Sequence, residues 1–329
     1  MKRRQFITLL AGAAALPLAA RAQQATRMRR IGVLMVHPEG DSEGQARIGV
    51  FRQRLSELGW VEGRNVHIDY RWGAGVPARA QQAAAELVAL APDVMLVNGT
   101  PPTAAVQKAT RDIPVVFVVV TDPVGAGFVE SLARPGGNIT GFSTFEPEIG
   151  GKWLELLREI EPGLRRVAGV LDPAFTGFAA VWHAVEELAP KAGLSATPVI
   201  FRNPTDDLET ALATFARQPD GGLIVLPTAI NNMARSRLFA IATRHRLPAV
   251  YPFRHYAFDG GLMAYGFNPQ DLFAGGAAYV DRILQGEKPA GLPVQAPTKF
   301  DLAINVNTAK AIGLAVPPAL LARADEVIE

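Results

Sequence analysis

From Arg30 onward, short apolar runs alternate with longer amphipathic stretches. Ile31 to Val36, Val66 to Trp72, Val94 to Val97 and Val115 to Val120 read as strands. Two of them, Val94 to Val97 and Val115 to Val120, are apolar throughout, as expected of strands buried on both faces of a parallel sheet. Between them Arg47 to Leu58, Val76 to Leu90 and the segment from Thr103 read as helices. Thr140 to Thr144 is expected to be a strand crossing out of this first series. A second series then follows. Leu154 to Glu159, Phe178 to Ala192, Leu208 to Ala216 and Met233 to Arg244 are helical, and they alternate with strands at Val167 to Leu171, Ala196 to Phe201, Gly222 to Leu226 and Ala249 to Phe253. Such alternation predicts an α/β protein with parallel sheets flanked by helices. The tail adds a strand at Leu262 to Tyr265, a helix at Asp271 to Leu284 and a strand at Leu302 to Val306. That is more than a second unit needs, so both units are expected to be discontinuous. The expected lobes are 29–142 with 262–287, and 143–261 with 288–329.

The strand at Val94 to Val97 stops at Asn98-Gly99-Thr100-Pro101. Gly99 permits a tight turn, Thr100 can cap, and Pro101 suits the first helical turn because its missing N–H has no partner there. A helix start of this kind presents unpaired N–H groups and the positive end of a dipole, and can receive an anion. Similar polar residues close other strands: Thr121 and Asp122, Asp172 and Thr176, Thr228 and Asn231. In open α/β sheets these ends border the ligand crevice. Together they offer hydroxyl, amide and carboxylate groups, with Trp72, Phe175, Tyr251, Phe253 and Tyr265 as candidate apolar walls. The set suits a small zwitterion, its carboxylate at Gly99 and Thr100 and its ammonium at Asp122.

The N-terminus reads as an address. Lys2-Arg3-Arg4 precedes an apolar stretch from Phe6 to Leu18 and a small-x-small site at Ala20-Arg21-Ala22, so residues 1–22 are expected to be a cleaved signal peptide. Arg3-Arg4-Gln5-Phe6-Ile7 resembles a twin-arginine signal, with Sec export as the alternative route. Cleavage after Ala22 removes four of the 33 basic residues and none of the 31 acidic ones, turning a formal charge of +2 into −2. No basic stripe with interleaved aromatics remains to suggest nucleic acid. The 329-residue chain has no cysteine, which excludes a cysteine nucleophile, thiolate metal sites and a lipid-bearing cysteine.

Enzyme signatures are missing: there is no phosphate-loop lysine motif, no Gly-x-Ser-x-Gly elbow and no His-Glu-x-x-His. Gly125-Ala126-Gly127 starts like a dinucleotide loop but ends in Glu130. His37, Glu39, Asp41 and Glu43 cluster, yet their alternation with Pro38, Gly40 and Gly44 suits a solvated loop better than a metal site. No metal and no cofactor is expected.

Several further motifs complete the picture: Gly59-Trp60-Val61-Glu62-Gly63, Tyr70-Arg71-Trp72, Gly99-Thr100-Pro101, Thr121-Asp122-Pro123-Val124, Arg134-Pro135-Gly136-Gly137-Asn138-Ile139-Thr140-Gly141, Gly260-Gly261-Leu262-Met263-Ala264-Tyr265-Gly266, Pro297-Thr298-Lys299-Phe300-Asp301-Leu302, and the tail from Pro317-Pro318. With them the chain resembles the bacterial ABC-transporter substrate-binding proteins that include tryptophan-type amino-acid binders. The resemblance implies a two-lobed periplasmic-binding-protein-like fold of type I, joined by several crossover strands, that closes on a small solute and delivers it to an ABC permease in the inner membrane. It places ligand-facing turns at Gly99-Thr100-Pro101, Thr121-Asp122 and Thr228 to Asn231. The chain departs from the family's pattern at Leu226 to Asn232, and it lacks the lipid-bearing cysteine of many relatives. The expectation is a monomeric periplasmic receptor for an amino acid or related carboxylate. The rivals are an exported α/β enzyme acting on such a solute and a ligand-binding sensor protein.

Overall fold

The computed structural model describes residues 27–144, 147–172, 176–203 and 206–329. The expected signal peptide and Phe175 lie outside them.

The first sheet follows from the apolar runs. Strands β1 (Arg29–Met35), β2 (Val66–Trp72), β3 (Val94–Asn98), β4 (Val115–Val120) and β5 (Ile139–Ser143) pair in the order β2-β1-β3-β4-β5, all parallel. The expected crossing strand at Thr140 is therefore the sheet's last strand. Alternation along β3 serves two cores. Val94 and Leu96 pack on the face covered by α1 (Ser42–Glu57), while Met95 and Val97 pack under α2 (Pro77–Ala89) and α3 (Thr100–Ala109). Helix α1 starts five residues before the apolar period does, because Asp41 caps it by accepting the Gly44 N–H at 2.8 Å.

The second sheet repeats that strand order. Strands β6 (Arg166–Leu171), β7 (Ser195–Ile200), β8 (Gly221–Val225), β9 (Ala249–Tyr251) and β10 (Met263–Gly266) run β7-β6-β8-β9-β10 in parallel, and β11 (Asp301–Asn305) joins antiparallel to β10. A short β12 (Glu326–Ile328) finishes the edge. The helices between are α4 (Ile149–Ile160), α5 (Thr176–Lys191), α6 (Leu208–Ala216), α7 (Ala229–Met233), α8 (Arg235–Arg244) and α9 (Arg254–Phe258).

Three connections join the lobes. The chain leaves β5 for α4, leaves β10 for α10 (Pro269–Leu284), and returns from Gln295, which bridges Phe142, to β11. Helix α10 lies on the first sheet against α1 and strands β3 to β5, and Gly276 allows this approach: a Cβ there would stand 2.9 Å from Leu96 and Val118 side-chain carbons. Segment 262–287 therefore divides. Its strand hydrogen-bonds within the second sheet and only its helix belongs to the first lobe. Pairing with β9 and β11, the strands before and after it in the chain, decides the strand's place. The fold is a two-lobed α/β architecture with parallel sheets flanked by helices. Two small helices, α11 (Val306–Ala311) and α12 (Pro318–Arg323), close the tail. Among the described residues no helix is long and apolar enough to cross a membrane.

Candidate functional site between the lobes

A strand order of 2-1-3-4-5 reverses direction between its first and third strands, and the crevice at that switch point is where such sheets bind ligands. Both lobes obey the rule, and their switch points face each other. From the first lobe the ends of β1 and β3 bring Val36, His37, Asn98, Gly99, Thr100 and Pro101, with Arg47 from α1 and Val119 from β4. From the second lobe come Pro227, Thr228 and Ala229 after β8, with Phe178, Asn232 and Phe253. Together they enclose a cavity of about 60 Å³. A larger recess of about 570 Å³ lies on the outside of the second lobe between α4 and α5. It is a solvent-lined trough whose acidic groups are already paired, Glu155 with Lys152 and Glu159 with Arg323. The interlobe cavity is the one with buried, unsatisfied polar groups.

Arg47 dominates it. The residue is 3% exposed, and it sits on the buried stripe Gly44, Arg47, Ile48, Phe51 and Leu55 of α1. Its Nη1 lies 3.0 Å from His37 Nε2, its guanidinium rests over the Phe253 ring at 5.7 Å, and its buried Nε has no partner. A guanidinium can only donate, so His37 Nε2 accepts and the imidazole proton sits on Nδ1, 3.3 Å from Asp41 Oδ1. Burial and the nearby Arg47 and Arg235 charges push His37 well below its usual value, which keeps that neutral tautomer. Burial also pulls the Arg47 guanidinium below its ordinary value, with Glu43 and Asp41 opposing from a longer range. No described carboxylate forms an ion pair with it. His37 Nδ1 is likewise buried without a hydrogen-bond partner, and Asn98 contributes a third unsatisfied atom: its Nδ2 reaches Val118 O at 3.4 Å, and its buried Oδ1 is unpaired.

Backbone geometry shapes the wall. Gly99 holds φ at +90°, a region its lack of a Cβ allows, and it caps α3, which begins at Thr100 instead of the expected Thr103. Val119 sits at φ +59°, unusual for a β-branched residue, where the pairing of β4 with β5 slips by one residue. The bulge puts Val119 into the cavity wall.

Beside the cavity the lobes touch through polar groups. Asp41 Oδ2 meets Asn232 Nδ2 at 3.4 Å and Arg235 Nη1 at 3.8 Å, and Glu43 Oε2 lies 3.4 Å from His255 Nδ1. Burial raises Glu43, while burial and the Arg47 and Arg235 charges push His255 down to about 2. The acidic and histidine cluster read as a solvated loop is thus divided between a helix cap and this lobe contact. Among the described residues no group of three or more His, Cys, Asp or Glu could hold a metal ion.

The predicted site residues separate into two sets. Gly99, Thr100, Pro101 and Thr228 line the cavity, as does the wall residue Phe253. The others serve elsewhere. Thr121 Oγ1 bonds Thr144 Oγ1 at 2.7 Å in the interior. Asp122, expected to meet an ammonium group, is exposed; its Oδ1 accepts the Gly125 N–H at 2.8 Å and closes a turn. Asp172 is buried at the end of β6, 3.9 Å from Arg202. Thr176 opens α5, and only its backbone is described. Asn231 pins two strand ends, its Nδ2 donating to Val170 O at 2.9 Å and Leu226 O at 2.8 Å. Tyr251 is buried in the second lobe, stacked on Tyr256 at 5.3 Å, and Tyr265 stacks on Phe300 at 5.9 Å. Arg47, His37, Asn98, Phe178 and Asn232 escaped the sequence reading as ligand-site residues. One signal was available for Arg47: a charged residue inside the apolar stripe of α1.

Two lobes of repeated topology, facing switch points and a polar cavity between them define a solute-binding protein that encloses its cargo. The comparisons agree. The model of the ABC transporter substrate binding protein family matches residues 30–328, and the chain belongs to that family. A tyrosine-binding protein of Clostridioides difficile is 24% identical over 293 residues, 88% of this chain and 82% of its own. A conserved domain protein from Vibrio cholerae superposes with a TM-score of 0.85 at 29% identity, covering 92% of this chain and 100% of its own. An ABC domain from Streptococcus pneumonia in complex with L-Trp gives a TM-score of 0.84 at 23% identity, with 92% and 100% covered. The protein is thus a substrate-binding component of ABC transport and not an enzyme. Members of this family work outside the cytoplasm and pair with membrane permeases.

Proposed function

We propose that this protein is the periplasmic receptor of an ABC importer for an amino acid or related small carboxylate, which it grips by hinge closure. One observation carries the reading: a buried guanidinium without an ion pair lines a cavity built from both lobes. A buried cation favours a ligand that brings an anion. Two relatives support the ligand class, one named for tyrosine and one crystallised with L-Trp. Residues 1–22 would direct export and be removed, and the mature protein would act as a monomer.

The test is a thermal-shift screen of the chain from Gln23 against amino acids, small organic acids and neutral sugars. A true ligand at a hundred times its dissociation constant should add about 2.7 kcal/mol of stability. Stabilisation by sugars alone would overturn the carboxylate reading. A ligand that draws both lobes together should also lower the radius of gyration in small-angle scattering, and an unchanged radius would argue against hinge closure.

A further inference from the structure

We infer that the cargo is a hydroxycarboxylate: an organic acid whose carboxylate meets Arg47 and whose neighbouring hydroxyl donates to Asn98. The inference rests on the receptor reading above and narrows it.

Two of the cavity's unsatisfied atoms, Arg47 Nε and Asn98 Oδ1, define what must be supplied, and the third, His37 Nδ1, adds a further donor. Arg47 offers donors, with Nε buried and unpaired and Nη1 fixed by His37. His37 orients the guanidinium: its Nε2 receives the arginine N–H, while its Nδ1 lies 3.3 Å from Asp41 Oδ1 without a hydrogen-bond partner. Asn98 offers the opposite, an acceptor. Its Nδ2 points to Val118 O, which leaves Oδ1 as the free atom of the amide. A ligand that satisfies both carries an anion and a donor.

Charge decides which donor. An amino acid would neutralise Arg47 with its carboxylate and then leave its ammonium beside an uncharged amide. The described wall holds no carboxylate to receive it: Asp122 is exposed in its turn, Asp172 faces Arg202, and Glu43 faces His255. Burying an unpaired cation is unfavourable. A hydroxyl fills the same place without adding a charge. Outside the wall, the carboxylates of Asp259 and Asp41 are already engaged by Arg235, at 2.7 Å and 3.8 Å.

Matched triplets test this by titration calorimetry on the chain from Gln23. The probes are L-alanine, L-lactate and propionate; L-phenylalanine, L-phenyllactate and 3-phenylpropionate; and L-tryptophan with indole-3-lactate and indole-3-propionate. In at least one triplet the hydroxy acid should bind tightest. Arg47→Met should weaken that binding about a hundredfold. The same variant should still unfold in one cooperative transition in ligand-free protein, which separates lost binding from a lost fold. Asn98→Ala should bring the hydroxy acid down to its deoxy analogue, about tenfold, and leave the deoxy acid unchanged. An amino acid that outbinds its hydroxy analogue, and loses affinity in Arg47→Met, would overturn the hydroxycarboxylate while leaving a carboxylate receptor. Undiminished affinity in Arg47→Met would overturn the anchor. A response from sugars and from no acid in any triplet would overturn both readings.

Discussion

The two lobes use one strand order and present the same topological position to the cavity, yet they deliver opposite chemistry. In each lobe the helix after the first strand reaches the crevice. In the first lobe that helix, α1, sends in Arg47, oriented by His37, with Asn98 and Thr100 beside it. In the second, α5 sends in Phe178, with Pro227, Ala229 and Phe253 around it. Architecture therefore fixes where the wall is, and side-chain identity fixes what the wall does. The first lobe holds polar groups that lack partners, while the second offers mainly apolar side chains, and its polar groups Thr228 and Asn232 are already hydrogen-bonded. Disturbing the first should change binding, and disturbing the second should change stability.

The largest effect tests the second half of that contrast. Phe253 is buried against Phe267 at a 5.4 Å ring separation, and Phe253→Ala should lower unfolding free energy by about 3–5 kcal/mol in denaturant melts. A loss below 1 kcal/mol would show a wall as separable from its core as Arg47 is.

A smaller effect comes from His37, whose folded form resists protonation. Its folded value lies well below its ordinary 6.5, so below pH 6.5 the unfolded chain binds the extra proton. Stability contributed by the neutral imidazole is full above 6.5 and falls as pH drops beneath it, by up to about 1.4 kcal/mol per pH unit. His255 is shifted in the same direction. Glu43, raised by burial, acts oppositely, from its ordinary 4.5 upward. Urea melts between pH 7.5 and 5.5 should show the decline, and His37→Gln should flatten it. An equal slope in parent and variant would remove His37 as its source.

The smallest effect lies where the lobes meet. Arg235→Ala removes partners of Asp41 and Asp259 at a partly buried contact and should cost about 1 kcal/mol. Its signature should be shape: a larger radius of gyration in ligand-free protein. Unchanged scattering would mean that the contact does not hold the lobes together.

Local chemistry was legible and long-range chemistry was not. The apolar runs at Val94 to Val97 and Val115 to Val120 revealed their strands because burial on both faces leaves no polar position. Turns such as Gly99-Thr100-Pro101 stood out because glycine and proline restrict the backbone within a few residues. Strand β12 escaped because three residues on an edge, with Val327 exposed between two half-buried neighbours, are too few to carry a period. Asp122 looked like a ligand group because a cap and a ligand contact use the same residue type at the same strand end. Tyr251 was expected at the crevice, but it stacks among Phe239 and Tyr256 inside the lobe. Arg47 was hidden most deeply, since its partners His37 and Phe253 come from two lobes and no spacing within α1 reveals them.

The late arrival of α10 has a consequence for the chain as it is made. Leu96 and Val118 are covered by a helix that ends at residue 284, whereas their sheet is complete at residue 143. At roughly 5–20 residues per second, the intervening stretch takes the ribosome on the order of 10–30 s. Throughout that interval the nascent first lobe shows an apolar face to its surroundings, and stalled chains of that length should bind apolar dye until the helix is added. An early lobe that waits for a late helix ties the two halves into a single maturation event, finished only near the end of translation.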